Sequence, residues 1–211
     1  MSKASRLYDI SPLLAPAIAV WPGDAPFQRS QSLSIAQGAS VNLSSMSLSL
    51  HTGAHADAPS HFDDSAASIE EVDLEAYIGP ARLVTVKAQE TVSAQDLMPV
   101  LEDRPQRLLV RCNPDFDPRR FPPRFVHFCT EAAQAIGEAE VRLVGLDAPS
   151  VDFVDSQELP CHHIFQRHGT AILENLLFRG VPDGEYELIA LPLRIAGGDA
   201  SPVRALLRQS I

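Results

Sequence analysis

The fold is decided by 107-RLLVRC-112 and 141-VRLVGL-146, two short apolar runs that flank the helical segment 130-TEAAQAIG-137. Apolar runs of this length, rich in leucine and valine, are typical of buried strands. Working outward, we predict further strands at 82–87 and 186–193. Helix-start signals alternate with the strands: Ser68 with Glu71, Ser93 with Asp96, and Ser201 followed by Pro202. This order predicts an α/β domain with a mixed, partly parallel central sheet.

The N-terminal region, roughly residues 5–50, is predicted to be rich in strands and to form an additional sheet. Residues 41–50, VNLSSMSLSL, alternate polar and apolar side chains, which is typical of a strand. The alternation slips near Ser44 and Ser45, where we expect a bulge. After the slip, Met46 and its apolar neighbours face one side and the serines face the other. We therefore expect this strand to present the residues that follow it on its polar face.

Composition limits the classes of protein. The chain has 211 residues, of which 45% are hydrophobic and 21% charged, and we expect one folded domain over residues 1–211. The net charge of −10 argues against partners such as nucleic acid or an anionic membrane surface. No run has transmembrane length. The three cysteines form no disulfide framework and no zinc ribbon, which fits a cytoplasmic location.

A second stretch, 51-HTGAHADAPSHF-62, holds three of the seven histidines of the chain together with an aspartate. His51, His55, Asp57 and His61 all occupy odd positions, so one irregular extended segment directs all four toward the same side. Imidazole nitrogens with a carboxylate are typical ligands of zinc or a similar divalent ion. The absence of thiolates favours a catalytic site over a structural one. The alternative is a loop of ordinary hydrogen-bonded surface histidines.

A third polar group lies in 160-PCHHIFQRHGTAILENLL-177. Glu174 stands within an apolar run, where a carboxylate is costly to bury unless a cation or donors meet it. It is therefore a candidate metal ligand. The alternative is a glutamate at the end of a strand that faces water. His162 and His163 precede it, and spacing alone does not choose between them. His168 before Gly169 is predicted to end a helix.

The histidine block resembles the signature of the cyclase-like metal-dependent hydrolases. Within that family, the turn 21-WPGD-24 and the C-terminal segment 186–207 resemble the kynurenine formamidases, or arylformamidases. The resemblance extends over nearly the whole chain. It implies a swivelling β/β/α fold, a homodimer and two zinc ions per subunit.

The resemblance also assigns roles to individual residues. His51, His55 and Asp57 correspond to ligands of one ion, with Asp57 bridging to the second. The family's later histidine precedes its glutamate by twelve residues, which selects His162 to pair with Glu174. The resemblance also implies that Glu174 bridges the two ions. In the same way His61 corresponds to the proton donor and acceptor, and Trp21 to an aromatic residue that contacts the substrate.

The function implied is hydrolysis of N-formyl-L-kynurenine to L-kynurenine and formate in tryptophan degradation. One alternative is another amidohydrolase of the same family that acts on a cyclic or a different acyl amide. The second alternative is a binding protein in which zinc only holds the fold. There is no G-x-S-x-G, G-x-G-x-x-G or phosphate-loop motif to support other chemistry.

Overall fold

The computed structural model describes residues 5–210 of the chain. Within that range, the chain forms thirteen strands, three α-helices and three short 3-10 helices. The strands are β1 (Ser5–Asp9), β2 (Gln28–Leu33), β3 (Leu43–Ser47), β4 (His55–Asp57), β5 (Ile78–Thr85), β6 (Thr91–Val92), β7 (Arg107–Arg111), β8 (His127–Phe128), β9 (Leu143–Leu146), β10 (Ala171–Glu174), β11 (Gly184–Ile189), β12 (Ala200–Pro202) and β13 (Leu206–Ser210). The α-helices are α1 (Ala94–Leu101), α2 (Thr130–Glu138) and α3 (Pro160–His168), and the 3-10 helices are Ile35–Gln37, Pro59–His61 and Leu74–Tyr77.

Nine strands form one mixed sheet in the order β1-β13-β11-β5-β7-β9-β10-β4-β12. The four strands β5, β7, β9 and β10 run parallel, and antiparallel strands extend the sheet on both sides. The sheet curls, because Ile10 after β1 donates to the carbonyl of Ala205 and accepts from Leu177, which follows β10. The predicted α/β class with a mixed central sheet is therefore confirmed.

The parallel strands are buried on both faces, which explains their nearly continuous apolar sequences. Alternate residues of β7 serve different cores: Leu108 and Val110 face the helices, whereas Leu109 packs on the opposite face. The helix-side core also contains Leu97, Ile136 and Phe165 from α1, α2 and α3. The predictions of strands at 82–87, 107–112, 141–146 and 186–193 are confirmed within a few residues.

Two predicted helices are wrong. The amide and hydroxyl of Ser68 donate to the Glu71 carboxylate at 3.2 and 3.3 Å, but the Glu71 amide donates to the Ser68 carbonyl and not to its hydroxyl. The chain continues into turns and a single 3-10 helix at Leu74–Tyr77. Ser201 and Pro202 lie in β12 instead of starting a helix. Pairing of β12 with β4 takes precedence there, and the Ser201 hydroxyl accepts from the Leu193 amide at 2.8 Å.

The N-terminal strand prediction is partly wrong. A separate two-stranded sheet exists, formed by β2 and β3, but β3 ends at Ser47, before the histidines. The bulge lies in β2 between Gln31 and Leu33, not at Ser44 and Ser45. The apolar side chains of the hairpin are exposed, with Met46 at 62%. The histidine block is therefore positioned by a turn and by β4, and not by β3.

The helices that cover the parallel strands follow their sequence signals. Ser93 and Asp96 form a reciprocal capping box at the start of α1. Helix α3 ends at His168 with Gly169 in the left-handed conformation, as predicted. Among residues 5–210, no helix is both long enough and apolar enough to cross a bilayer.

The packing of α2 on α3 generates a stability prediction. A methyl group on Gly137 of α2 would lie 2.4 Å from Cγ and 2.8 Å from Cβ of His168. We expect Gly137→Ala to destabilise the protein by about 1–3 kcal/mol, because overpacking outweighs the gain in helix propensity of about 1 kcal/mol. The measurement is the free energy of unfolding from urea denaturation.

The matched controls are His168→Ala alone and the double variant. His168 is exposed, so we expect its truncation alone to have a small effect. The double variant should recover part of the loss, because the ring atoms are removed while the Cβ of residue 168 still lies 2.8 Å from the new methyl group. A Gly137→Ala variant that is more stable than the parent protein would contradict the predicted overpacking between α2 and α3.

Candidate metal centre

The centre of the site is the antiparallel pairing of β4 with β10. In this register His55 lies directly opposite Glu174, and Asp57 lies opposite Ile172. Since alternate side chains share one face of a strand, His55 and Asp57 point the same way. The alanines at positions 54, 56 and 58 pack into the core on the other side. A turn with Gly53 at φ +69° leads the chain into β4.

Three side chains of the histidine block come together at β4. His51, in the turn before the strand, places Nδ1 3.1 Å from Oδ1 of Asp57. The Nε2 atom of His55 lies 3.4 Å from Asp57 Oδ1 and 3.4 Å from Glu174 Oε2. The other nitrogen of His55 bonds to the Gly53 carbonyl at 2.8 Å, so Nε2 is the atom presented to the carboxylates.

The first turn of α3 contributes the next imidazole. Nε2 of His162 lies 3.5 Å from Asp57 Oδ2 and 3.7 Å from Glu174 Oε1. Asp152 fixes the ring, because its carboxylate lies 2.7 Å from Nδ1 of His162. The neighbouring His163 instead contacts Phe62, with ring centroids 5.4 Å apart. The structure thus brings His162, and not His163, to the cluster.

His61 stands at the edge of this cluster. It ends the short helix Pro59–His61, and its ring centroid lies 4.2 Å from that of His51. Asp199, which immediately precedes β12, approaches both rings: its Oδ2 lies 3.1 Å from His51 Nε2 and 3.7 Å from His61 Nδ1. The side chain of His61 is more exposed than those of His51, His55, His162 and Glu174.

The buried carboxylate of Asp57 lacks hydrogen-bond donors, whereas Glu174 accepts from the Val151 amide at 2.8 Å. His55, Asp57, His162 and Glu174 are at most 4% exposed. Both oxygens of Asp57 and Nε2 of His55 have no hydrogen-bond partner among residues 5–210, since the close imidazoles are not aligned for hydrogen bonds. Unpartnered buried ionic groups cost several kcal/mol. Imidazole and carboxylate atoms in this arrangement fit divalent ions, in two groups that share Asp57: His51, His55 and Asp57, and Asp57, His162 and Glu174.

The electrostatics support the same conclusion. Burial lowers the pKa of His55, but its contacts with Asp57 and Glu174 outweigh burial and raise that pKa to about 10. Burial likewise opposes the contacts of His162 with Asp152 and Asp57, which raise its pKa to about 10. Burial and the charge of Asp57 raise the pKa of Glu174. A cation would replace the imidazole protons and relieve the repulsion between the two acids.

The cluster forms the floor of a cavity of about 350 Å³. Trp21 lies on its wall and packs edge-on against Phe121, with ring centroids 5.0 Å apart. Phe116 and Phe153 also line this space. Six of the seven residues that the sequence indicated line this cavity: Trp21, His51, His55, His61, His162 and Glu174. The seventh, Asp57, lies behind them in contact with His51, His55 and His162. Their individual chemical roles remain predictions.

Sequence reasoning missed Asp152 and Asp199. Asp152 lies ten residues before His162 in an irregular loop, and only the fold places it against the imidazole. Asp199 lies 148 residues after the histidine it contacts. The segment 196-AGGDASP-202 offered a signal, because an acid between small residues is free to approach a site, but its serine and proline indicated a helix start instead.

Comparison with known proteins identifies the family of this chain. The family model described as "Putative cyclase" matches residues 8–153. The kynurenine formamidase of Bacillus cytotoxicus is 42% identical over 206 residues, covering 98% of this chain and 99% of that protein. The kynurenine formamidase of Maricaulis maris is 44% identical over 206 residues, covering 97% and 99%.

Solved structures extend the likeness to the fold. A structure described as a potential metal-dependent hydrolase with cyclase activity superposes with a TM-score of 0.83 at 26% identity, covering 99% of this chain and 100% of that one. The likeness noted in the histidine block thus holds over nearly the full length of the chain. The chain belongs to the cyclase family, and it is a hydrolase.

Proposed function

We propose that the protein hydrolyses N-formyl-L-kynurenine to L-kynurenine and formate, with two zinc ions bound by the buried cluster. The observation that carries this proposal is the nearly full-length identity of 42% and 44% with proteins named kynurenine formamidase. The aromatic cavity above an imidazole–carboxylate floor supports it, because the substrate is an aryl amide that needs both an apolar wall and a hydrolytic centre.

The metal assignment follows the two groups of donors. His51, His55 and Asp57 would hold one ion, and His162 and Glu174 the other, with Asp57 belonging to both groups. Glu174 would also be shared, since its carboxylate approaches both His55 and His162. Their nitrogen and oxygen donors suit zinc. When bound, such ions lower the pKa of a water molecule toward neutrality and polarise a carbonyl oxygen. Asp152 would orient the His162 ring by accepting a hydrogen bond from its Nδ1–H group.

His61 is the group placed to move protons. It lies beside the cluster and is more exposed than the proposed ligands, and burial lowers its pKa, so the neutral ring is available as a base. In the reaction, the oxygen of water attacks the formyl carbon while His61 takes its proton. His61 then delivers the proton to the aniline nitrogen as the carbon–nitrogen bond breaks. Trp21 would hold the aryl ring by stacking.

We also propose that the protein is a homodimer that assembles through the β2–β3 hairpin. Isolated two-stranded hairpins are marginally stable in water. This hairpin nevertheless exposes a set of large apolar side chains, at 43–62%: Leu33, Ile35, Val41, Leu43 and Met46. Residues 28–47 contain a single charged residue, Arg29, in a chain of net charge −10, so two copies of the hairpin repel each other little.

We further propose a cytoplasmic location, which the three free cysteine thiols support.

The first prediction about function concerns the hydrolytic activity. We expect the purified protein to release formate from N-formyl-L-kynurenine, to lose that activity on dialysis against a chelator, and to recover it with zinc. Circular dichroism of the stripped protein should retain the folded spectrum. Isatin serves as the cyclic-amide comparison. Turnover of isatin without turnover of the formamide would contradict the proposed substrate, and full activity without stoichiometric metal would contradict the metal assignment.

The second prediction separates proton transfer from metal binding. We expect His61→Ala to keep both ions, measured by elemental analysis, and to lower kcat by about 100- to 10,000-fold, which is the usual contribution of general acid–base catalysis. Asp57→Asn is the contrasting variant and should lose metal and activity together, because one carboxylate serves both ions. Normal turnover by His61→Ala would remove His61 from the mechanism.

The third prediction concerns assembly. We expect Met46→Asp to halve the mass measured by light scattering at low micromolar concentration, because it places a charge in the apolar hairpin. Met98→Asp, at a 50% exposed position on α1, is the matched control and should leave the mass unchanged. A monomeric parent protein, or an unchanged dimer in Met46→Asp, would contradict assembly through the hairpin.

A further inference from the structure

The rim of the cavity is built from two segments that the fold joins. One is residues 18–24, which carries Trp21 and Asp24, and the other is the loop 114–122, which carries Arg120 and Phe121. The amide of Ala19 donates to the carbonyl of Pro118 at 2.8 Å, and Trp21 packs on Phe121. Asp24 and Arg120 consequently border the same cavity, next to the aromatic wall.

Arg120 is distinctive because it is the one arginine or lysine that lines this cavity within the described range 5–210. No acidic group of that range lies at ion-pair distance from its guanidinium. The adjacent Arg119, by contrast, forms an ion pair in which its Nε atom lies 2.9 Å from Oδ1 of Asp117. The floor of the cavity, by contrast, is rich in acids. An arginine without an acidic partner at the rim is free to bind a carboxylate with two parallel hydrogen bonds.

Asp24 supplies the opposite charge. Its Oδ2 atom accepts from the Ser49 hydroxyl at 2.8 Å, and its amide donates to the Trp21 carbonyl at 2.9 Å. These contacts fix the carboxylate at the half-buried rim. Its second oxygen accepts no hydrogen bond from another residue of the described range 5–210. An ammonium group is the ligand that this oxygen would favour.

We infer that Arg120 and Asp24 form a subsite for the α-amino-acid end of the substrate, in which Arg120 binds the carboxylate and Asp24 binds the ammonium. The inference rests on the proposed function and deepens it, because it specifies an aryl formamide that carries a zwitterionic side chain. The lining of this one cavity supplies each kind of group that the substrate needs: imidazoles and carboxylates at the floor, aromatic rings, and two side chains of opposite charge. Holding the charged end at the rim directs the formyl group to the floor, which lowers the entropic cost of correct orientation.

The test compares substrates of different charge. N-formyl-L-kynurenine carries the zwitterion, and ortho-formamidoacetophenone has the same aryl formamide with a neutral methyl ketone. We expect Arg120→Gln to reduce the preference for the zwitterion, as a ratio of kcat/KM values, by about 10- to 100-fold, since a hydrogen-bonded charge contributes that much. The loss should be mainly in KM. Arg119→Gln, one residue away and outside the cavity lining, should leave the ratio unchanged.

A third substrate separates the two charges. N-formylkynuramine keeps the ammonium group but lacks the carboxylate. We expect Asp24→Asn to weaken its use relative to the neutral ketone by about tenfold, and Arg120→Gln to leave this ratio within about twofold. Quenching of Trp21, the single tryptophan, by the product L-kynurenine gives an equilibrium readout, and Arg120→Gln should weaken that binding by a similar factor.

The outcomes distinguish this inference from the proposed function. A parent protein that hydrolyses neither formamide overturns both. A parent protein that hydrolyses both, with an unchanged preference in Arg120→Gln, overturns the subsite alone. An equal loss on the zwitterionic and neutral substrates assigns Arg120 a structural role in the loop and also overturns the subsite.

Discussion

The antiparallel register of β4 against β10 is the constraint on which the rest of the site depends. It sets His55 opposite Glu174 and brings Asp57 to the same face, all nearly excluded from water. A slip of one residue would turn the alanines between them toward the site and the ionic groups into the core. The carboxylates are buried among imidazoles from the turn before β4 and from α3, and a bound cation would complete the compensation of their charge.

The sequence predicted the elements whose stability is local. The apolar runs of β7 and β9 are strands because both faces are buried, and α1 begins where its capping box requires. The failures are elements where tertiary pairing overrides a local signal. Ser201 and Pro202 carry a helix-start pattern but pair with β4, and β3 has an alternating pattern but no core beneath it. No local rule states which neighbour a segment will meet.

The grouping of the candidate site residues could be predicted from the sequence, for a physical reason. Histidines and acids are rarely packed together without a function, so the block at residues 51–62 was visible from residue type and parity alone. Glu174 was visible because an acid in an apolar run needs a partner. Asp152 and Asp199 lie in no comparable sequence pattern. They act by hydrogen bonds to imidazoles that are distant in sequence, and only the assembled fold shows those contacts.

The floor and the rim of the cavity are built from different kinds of structure. The floor is formed by paired strands, by the turn that precedes β4 and by the first turn of α3. Packing and hydrogen bonds, such as that between Asp152 and His162, hold its side chains in place. The rim stands on two loops that are tied by one backbone hydrogen bond and one aromatic contact. Rigid elements suit the positioning of ionic groups to fractions of an ångström, whereas loops tolerate substitution. A solved structure described as a potential metal-dependent hydrolase shares this fold at 26% identity, which is expected if paired strands position the site and loops around the cavity vary with the substrate.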